Sequence, residues 1–380
     1  MDNYVVRIRR ELHSYPEVGF DLERTLGVIR RELDALGVPY TEKYGKSSIV
    51  ASVNEGKGNF TVAVRADTDA LPIEEKNDVE YKSKNVGKMH ACGHDAHTAI
   101  ALDALRRVFE MRDRIPYCVK FVFQSAEEYT ESGARLMVED GAAEGIDCII
   151  ALHCDPAIPS GKIGIASGPI SATSDGFYLN FYGKSVHVAK REQGVDAIRM
   201  AHRAYADICS AIESLKEQMI FHVGKIEGGT TNNIVADSCS LFCTLRTHSD
   251  ELAERYLSVI EKEANGVASK FGGRAEIVKT KHYPVLNNDK KIADLIRESA
   301  ISCIGEENVV INKRGMIGED FSYFCNRVPG AMFRLGVRNE AIGISHELHT
   351  NTFDLDEAAL QIGSDIYLEF ILNQAKKLQK

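Results

Sequence analysis

The chain has 380 residues, 44% of them hydrophobic, and a formal net charge of −9. It exceeds the size at which a single core stops growing, so we expect two domains, and its acidic balance argues against a nucleic-acid or anionic-membrane partner. The amino-terminal segment alternates charged and apolar residues at helical spacing, which predicts neither a signal peptide nor a membrane span. Nine cysteines without a C-x-x-C framework suit a reducing compartment, so the expected location is the cytoplasm.

The first part of the chain alternates helical and apolar patterns. Helices are predicted at 4–13, 22–36 and 96–111, and strands at 48–53, 60–65, 118–123 and 146–152. This order predicts an α/β fold with an open, mostly parallel sheet and helices on both faces. Functional groups of such sheets gather at the carboxyl ends of the strands. We assign residues 1–170 and 285–380 to this domain.

The pattern changes after Gly168-Pro169. Between residues 177 and 279 the order is strand, helix, strand, strand, helix, strand, which is typical of a ferredoxin-like α+β sandwich. Residues 171–284 are therefore predicted to be a smaller inserted domain, and the chain is expected to return to the first domain near Tyr283-Pro284.

The stretch MHACGHDAHT, residues 89–98, carries a thiol and imidazoles in close succession. Cys92 and His94 can be presented by one loop to one site, and this donor set suits zinc, manganese, cobalt or nickel. His97 has no clear ligand role. The alternative for the stretch alone is that Cys92 is a small buried hydrophobe and the histidines pack at the start of a helix.

Further donor candidates follow predicted strands. Glu127 and Glu128 come after the 118–123 strand, where one carboxylate can bind a metal while its neighbour acts as a base. The alternative is a solvated turn. His153 follows the 146–152 strand, a place where a histidine alone is more often a structural hydrogen-bonding group, and His346 and His349 lie near the end of the chain.

These motifs resemble the metal-dependent amidohydrolase and carboxypeptidase family that includes hippurate hydrolase, N-acyl-amino-acid amidohydrolases, N-acetyldiaminopimelate deacetylase and hydrolases of indoleacetyl-amino acids. The resemblance extends nearly from end to end and keeps the order of the family's motifs. The matching stretches are RRELHSYPEVGF, VRADTDALPIEE, MHACGHDAHT, QSAEE with GARLMVEDG, ALHCDPAIPSGKIGIASGP, GKSVHVAKREQGVDAI, GGTTNNIVADS, GEDFSYF and ELHTNTFDLDEAAL.

The resemblance implies a site for two divalent metal ions, with one bridging donor. Glu127 would be the catalytic carboxylate, which takes a proton from the attacking water and later gives it to the departing amine. Asp67 would orient an imidazole ligand from behind, with Asp69 close by. The implied ligands are Cys92, His94, Glu128, His153 and His349, with Cys92 as the candidate bridge and His346 as the competitor of His349.

The inserted domain would act as a lid and supply substrate contacts. His187 would donate a hydrogen bond to the oxyanion, from the same subunit or from a partner. Asn233 would contact the amino-acid part and Arg246 its carboxylate, although a turn residue and a surface ion pair are the respective alternatives. Glu319 lies in the GEDFSYF motif, which lines the site in relatives, and Glu192 stands where many relatives carry a histidine. A homodimer through this domain is expected by analogy.

The implied reaction is hydrolysis of the amide bond of N-acyl amino acids, with acetyl or benzoyl as the default acyl group. A dipeptidase or aminopeptidase on the same scaffold is the main alternative. In a third interpretation Cys92 is a nucleophile activated by His94, and in a fourth the metals only stabilise a binding module. The sequence does not select the metal, the acyl group or the amino acid.

Overall fold

A computed structural model describes residues 3–379 and divides the chain into two compact units. The larger unit comprises the chain up to Ile170, Asn287–Lys313 and everything from Asp320 onward, and the smaller comprises Ser171–Leu286 and Arg314–Glu319. The segment Arg314–Glu319 was predicted to lie in the larger domain, whereas the structure groups it with the smaller unit. It belongs to the smaller unit because the amide of Ala172 donates to the carbonyl of Ile317 at 3.1 Å.

The described residues form the following α-helices and strands. The helices are α1 (Tyr4–His13), α2 (Glu23–Leu36), α3 (His94–Glu110), α4 (Gly133–Glu139), α5 (Ala197–Glu213), α6 (Asp250–Phe271), α7 (Lys290–Ile304), α8 (Ser322–Cys325) and α9 (Ala358–Glu369). The strands are β1 (Tyr40–Thr41), β2 (Ile49–Val53), β3 (Thr61–Asp67), β4 (Cys118–Gln124), β5 (Cys148–Pro159), β6 (Ile163–Ile165), β7 (Gly168–Pro169), β8 (Ser174–Tyr182), β9 (Ile220–Gly228), β10 (Ser238–Arg246), β11 (Arg274–Tyr283), β12 (Asn287–Asn288), β13 (Val309–Ile311) and β14 (Gly330–Arg338).

The larger unit is built on a sheet with the order β1-β2-β4-β3-β5-β14-β6-β13. Its central pairs β4/β3, β3/β5 and β5/β14 are parallel, as is the β13/β6 pair. These central strands are almost continuously apolar and buried, as expected for parallel strands covered by helices. Helix α3 packs on β3 and contacts α1 and α9, whereas α4 and α8 contact each other. The predicted α/β fold with a large, mostly parallel sheet is confirmed.

Strand register brings the predicted site residues to one edge of this sheet. Asp67, the last residue of β3, pairs with Gln124, the last residue of β4. On the other side of β3, Arg65 pairs with Ala151, two residues before His153. Strand β5 continues to Pro159, so the prediction that His153 follows the end of the strand was wrong: it lies inside β5, whose pairing with β14 extends the strand beyond it.

The smaller unit has the antiparallel sheet β11-β8-β10-β9, with helices α5 and α6 against it. Alternate residues of β8 (Phe177, Leu179 and Phe181) are buried in a core shared with these helices, while Tyr178 and Tyr182 are exposed. This alternation is typical of a sheet covered on one face. The order strand, helix, strand, strand, helix, strand agrees with the ferredoxin-like pattern.

Across residues 3–379, no helix is both long enough and apolar enough to cross a membrane.

Candidate metal centre

A glycine turn presents the first two donors. Gly93 stands between Cys92 and His94 with φ of +85°, a left-handed conformation that glycine adopts without steric cost, and it is the N-cap of α3. A Cβ atom at this position would lie 3.2 Å from Cβ of Cys154, so the turn also needs the space that glycine leaves. The turn allows a thiol and an imidazole two residues apart to share one buried site.

The tautomer of His94 leaves one ring nitrogen available. Nδ1 lies 2.8 Å from the carbonyl oxygen of Asp69, which can only accept, so Nδ1 carries the proton. The other nitrogen, Nε2, is buried, and no residue of the described chain hydrogen-bonds to it. A buried imidazole nitrogen that no described residue hydrogen-bonds is a nitrogen that a metal ion can occupy.

Cys92 lies between two further imidazoles. Nδ1 of His153 donates to the carbonyl of Cys154 at 2.7 Å, which leaves Nε2 unprotonated and 3.4 Å from Sγ of Cys92. Nε2 of His349 lies 3.3 Å from the same Sγ and 2.9 Å from Oε1 of Glu128.

The donor atoms form two triads that share Cys92. One triad is Cys92, His94 and His153, the other is Cys92, Glu128 and His349, and within each triad the donor atoms lie within 4.8 Å of one another. Thiolate, imidazole and carboxylate are ligands of the transition metals named above. Residues with this donor chemistry and an orphaned imidazole nitrogen fit a pair of divalent ions.

Glu127 and Glu128 lie on a loop whose backbone is held by the carboxylate of Asp69. Oδ1 of Asp69 accepts from the amide of Glu127 at 2.9 Å, and Oδ2 accepts from the amide of Glu128 at 3.2 Å. Ala126 has φ of +52°, which for a residue with a side chain is a strained conformation found at functional sites. The carboxylate of Glu127, only 7% exposed, lies with donors of His94 and Glu128 in one group within 4.8 Å.

Asp67 contacts the site through His97. Because the amide of Cys154 donates to Nε2 of His97 at 2.8 Å, Nδ1 of His97 carries a proton and donates to Oδ1 of Asp67 at 2.5 Å. Oδ2 of Asp67 is 3.8 Å from Nε2 of His94, outside hydrogen-bonding distance. His97 thus has both ring nitrogens bonded, and Asp67 braces the backbone next to His153. The predicted direct contact of Asp67 with a ligand imidazole stays a prediction.

The electrostatics of the cluster favour a cation. Burial and the carboxylate of Glu128 raise the pKa of the Cys92 thiol well above its usual range. Burial alone would raise the pKa of Glu128, but the hydrogen bond to His349 lowers it. A buried thiol beside an ionised acid does not ionise by itself, so a bound cation is the group that would make Cys92 a thiolate.

The structure separates the two candidate histidines near the end of the chain. His349, with φ of +61°, is held by its amide, which donates to the carbonyl of Ala91 at 2.8 Å beside Cys92. His346 is exposed and belongs to none of the groups of donor atoms found in the described part of the chain. The geometry therefore favours His349.

The predicted substrate contacts belong to the smaller unit. His187 and Asn233 lie on neighbouring exposed segments, because the amide of Val188 donates to the carbonyl of Asn233 at 2.9 Å. Arg246, half-buried, has an Nη1 atom that no described residue hydrogen-bonds, and burial lowers its pKa although nearby Asp175 opposes this. Glu319 is buried in the Arg314–Glu319 segment. Their roles stay predictions.

Sequence reasoning placed Asp320 in the GEDFSYF motif that lines the site in relatives, but it missed Arg65 and the contacts by which both residues hold the loop of Glu127 and Glu128. Arg65 donates to Oδ2 of Asp67 at 2.6 Å and to Oδ1 of Asp320 at 2.8 Å. Asp320 also accepts from the Ser132 hydroxyl at 2.7 Å and from the Gln124 amide group at 2.9 Å. An arginine in a strand of otherwise apolar residues was the available signal, because a buried cation requires acidic partners.

Comparison with known proteins places this site in a family. The chain matches Peptidase family M20/M25/M40 over residues 63–373. The protein belongs to that family. It is therefore an enzyme of a metal-dependent hydrolase family, and the suspected family resemblance is confirmed.

Relatives cover nearly the whole chain. N-acetyl-L-cysteine deacetylase from Bacillus subtilis is 34% identical over 388 residues, which is 100% of this chain and 89% of the relative. Thermostable carboxypeptidase 1 from Saccharolobus solfataricus is 31% identical over 373 residues, which is 96% of this chain and 93% of the relative. The crystal structure of Bacillus subtilis YXEP, a dinuclear metal-binding peptidase of the M20 family, is 27% identical with a TM-score of 0.83, over 98% of each chain.

Proposed function

We propose that this M20 enzyme hydrolyses the amide bond of N-acyl amino acids and releases a carboxylic acid and a free amino acid. The observation that carries the proposal is the pair of donor triads sharing Cys92, with the additional carboxylate of Glu127 beside them. The ligand set is Cys92, His94, Glu128, His153 and His349.

Glu127 is the general base of the proposed reaction. Two divalent ions bound by this set would polarise the scissile carbonyl and make an attacking water acidic. Asp69 fixes the backbone of Glu127, so its carboxylate is placed to accept the water's proton and then to protonate the leaving amine. The proton transfer is shielded from bulk solvent, because His94 and Ala126 are buried and the side chain of Glu128 is only partly exposed.

A metal-ligand role is proposed for Cys92 in preference to a nucleophile. Burial and Glu128 raise the pKa of its thiol although His94 opposes them, whereas reactive cysteines have a lowered pKa. A catalytic site is proposed in preference to a purely structural metal site, because Glu127 places a further buried carboxylate beside the two triads.

The substrate's amino-acid part is proposed to bind through the smaller unit. Arg246 offers a guanidinium nitrogen to the carboxylate, and His187 and Asn233 offer polar groups from adjoining segments. The deacetylase relative supports an acyl group such as acetyl, with benzoyl as the larger candidate. The carboxypeptidase relative keeps a peptide substrate as the second candidate function. A homodimer through the smaller unit and a cytoplasmic location stay predictions.

The test is hydrolysis of N-acetyl amino acids, N-benzoyl amino acids and dipeptides by protein stripped of metal and refilled with zinc, manganese, cobalt or nickel. Glu127→Gln is assayed alongside Glu131→Gln, a control on the same loop whose carboxylate pairs with Lys46 near the surface. Metal content is measured for each variant, so that loss of ions is distinguished from loss of the base.

Activity should vanish on chelation, return with at least one ion and fall by about 100- to 10,000-fold in Glu127→Gln with metal retained. Glu131→Gln should behave as the unchanged protein. Full activity after chelation together with inactivation by iodoacetamide would contradict the metal mechanism and support Cys92 as the nucleophile. Cleavage of dipeptides alone would show that the substrate is a peptide and not an N-acyl amino acid.

A further inference from the structure

Arg9, in the amino-terminal helix α1, is completely buried although it is not one of the proposed metal ligands. A guanidinium has five donor groups and stays charged, so removing it from water is unfavourable unless acids surround it. Its sequence context, RRELHSYP, is a motif that the proposed reaction does not use.

The partners of Arg9 come from both ends of the metal-binding sequence. Nε donates to Oδ2 of Asp95 at 2.8 Å, and Nη2 donates to Oδ1 of Asp354 at 2.8 Å. Asp95 follows His94 in the first turn of α3, and Asp354 lies five residues after His349. One cation thus joins the segment that bears two ligands to the segment that bears a third.

Both acids are held by further contacts. His13, one turn after Arg9, lies 2.7 Å from Oδ2 of Asp95 through Nδ1 and 3.2 Å from Glu75 through Nε2. The hydroxyl of Tyr81 donates to Oδ2 of Asp354 at 2.8 Å, and its ring lies under the Arg9 guanidinium at 4.6 Å. The acids therefore have little freedom to follow a replacement of different shape.

Two contacts join the His349 loop directly to the Cys92 turn in the described chain. The amide of His349 donates to the carbonyl of Ala91, and Nε2 of His349 lies 3.3 Å from Sγ of Cys92. The side chain of His349 is 51% exposed, so packing restrains it weakly. An arginine that binds one acid of each segment is a physical means of limiting the motion of the His349 loop relative to the Cys92–His94 turn.

We propose that Arg9 is a positioning residue of the metal centre: it sets the spacing between the Cys92–His94 turn and the His349 loop by binding Asp95 and Asp354 together. This inference rests on the ligand set of the proposed function. A lysine cannot replace the fork, because its ammonium is a point charge that cannot hold the two acids in the same planar arrangement.

The experiment measures metal binding by the folded protein and not turnover. Arg9→Lys and Asp354→Asn are compared with Arg10→Met, whose arginine is the next residue and pairs with Glu357. Glu357 also accepts from Nη1 of Arg9 at 3.3 Å, so this control tests separately whether the Glu357 contact affects metal binding. Each variant is checked by circular dichroism, stripped, and titrated with zinc against a competing chelator. The cobalt-substituted proteins are compared by their visible absorption, which reports the ligand geometry.

Arg9→Lys and Asp354→Asn should each bind metal about 10- to 100-fold more weakly and shift the cobalt bands, as is typical when an outer support of a ligand is lost. Arg10→Met should bind within about twofold of the unchanged protein.

A structural role alone would lower the melting temperature but leave zinc affinity and the cobalt spectrum of the folded variants unchanged, and that result overturns the inference. Unchanged protein that binds no divalent ion would overturn the ligand set, and with it both proposals. If Arg9→Lys does not fold, Asp354→Asn decides, because it leaves the contact of Arg9 with Asp95 in place.

Discussion

The polar groups of the two units are held in different ways. In the larger unit the proposed ligands are buried or partly buried except His349, whose side chain is 51% exposed, and most have a second contact, such as that of His94 with Asp69 or of His153 with Cys154. In the smaller unit His187 and Asn233 are exposed and held mainly by their backbone. Buried polar groups are costly unless satisfied, so their geometry is closely determined, whereas exposed groups have many acceptable arrangements.

This difference explains why the chemistry is easier to infer than the substrate. Metal ligands leave a pattern of residue types because only a few side chains can bind an ion. Substrate contacts on an exposed surface leave a weaker pattern, since many side chains can make one hydrogen bond. The following predictions test the contrast, beginning with the largest expected effect.

His349→Ala should abolish most activity, with a loss of at least about 100-fold, because loss of an outer support alone costs about 10- to 100-fold and loss of a ligand should cost more. His346→Ala is the matched control, three residues away, exposed and outside both donor triads. Metal content and kcat/KM are measured for both. Equal losses in the two variants would show that the loop, and not the His349 imidazole, is what the site needs.

Gly93→Ala should destabilise the larger unit by more than about 1 kcal/mol, because φ of +85° is unfavourable for a residue with a side chain and the added Cβ would crowd Cys154. Gly27→Ala in the interior of α2 is the control. Nothing lies within 4 Å of its added Cβ, so it should stabilise by roughly 0.5–1 kcal/mol. Thermal unfolding of metal-free protein measures both, and a stable Gly93→Ala would contradict the role of the turn.

Much of the larger unit could be predicted from its sequence. Apolar runs located the strands, and the motifs located the donors, because both signals are local. The partners of Arg9 and Arg65 could not be predicted, since Asp354 and Asp320 are hundreds of residues away and only the fold brings them near. The length of β5 was missed for the same reason, because its pairing with β14 decides where it ends.

Arg246→Met should raise KM by about 10- to 100-fold and change kcat less, because a hydrogen bond to a charged group is worth about 1.5–3 kcal/mol. Arg203→Met is the control, since that exposed arginine pairs with Asp207 on its own helix at 3.0 Å. Steady-state kinetics with the best substrate of the panel gives both constants. An unchanged KM would remove Arg246 from the proposed carboxylate contact and leave the substrate orientation to other residues.

The smallest expected effect is a pH dependence confined to the smaller unit. Nδ1 of His282 lies 2.8 Å from Asp175, and this hydrogen bond raises the pKa of His282 although burial opposes it. The pair therefore stabilises the folded state fully below about pH 6.5, the usual imidazole pKa, and the contribution is lost as pH rises through the raised value. Because the imidazole is partly exposed, the effect should not exceed about 1 kcal/mol.

Amide hydrogen exchange of β8 and β11 at pH 6 and pH 8, corrected for intrinsic rates, should show lower protection at pH 8. His282→Gln should remove this difference, whereas His202→Gln on the exposed face of α5 should keep it. If His282→Gln retained the full difference, other groups would set the pH response of the smaller unit, and the contact between His282 and Asp175 would not contribute to it.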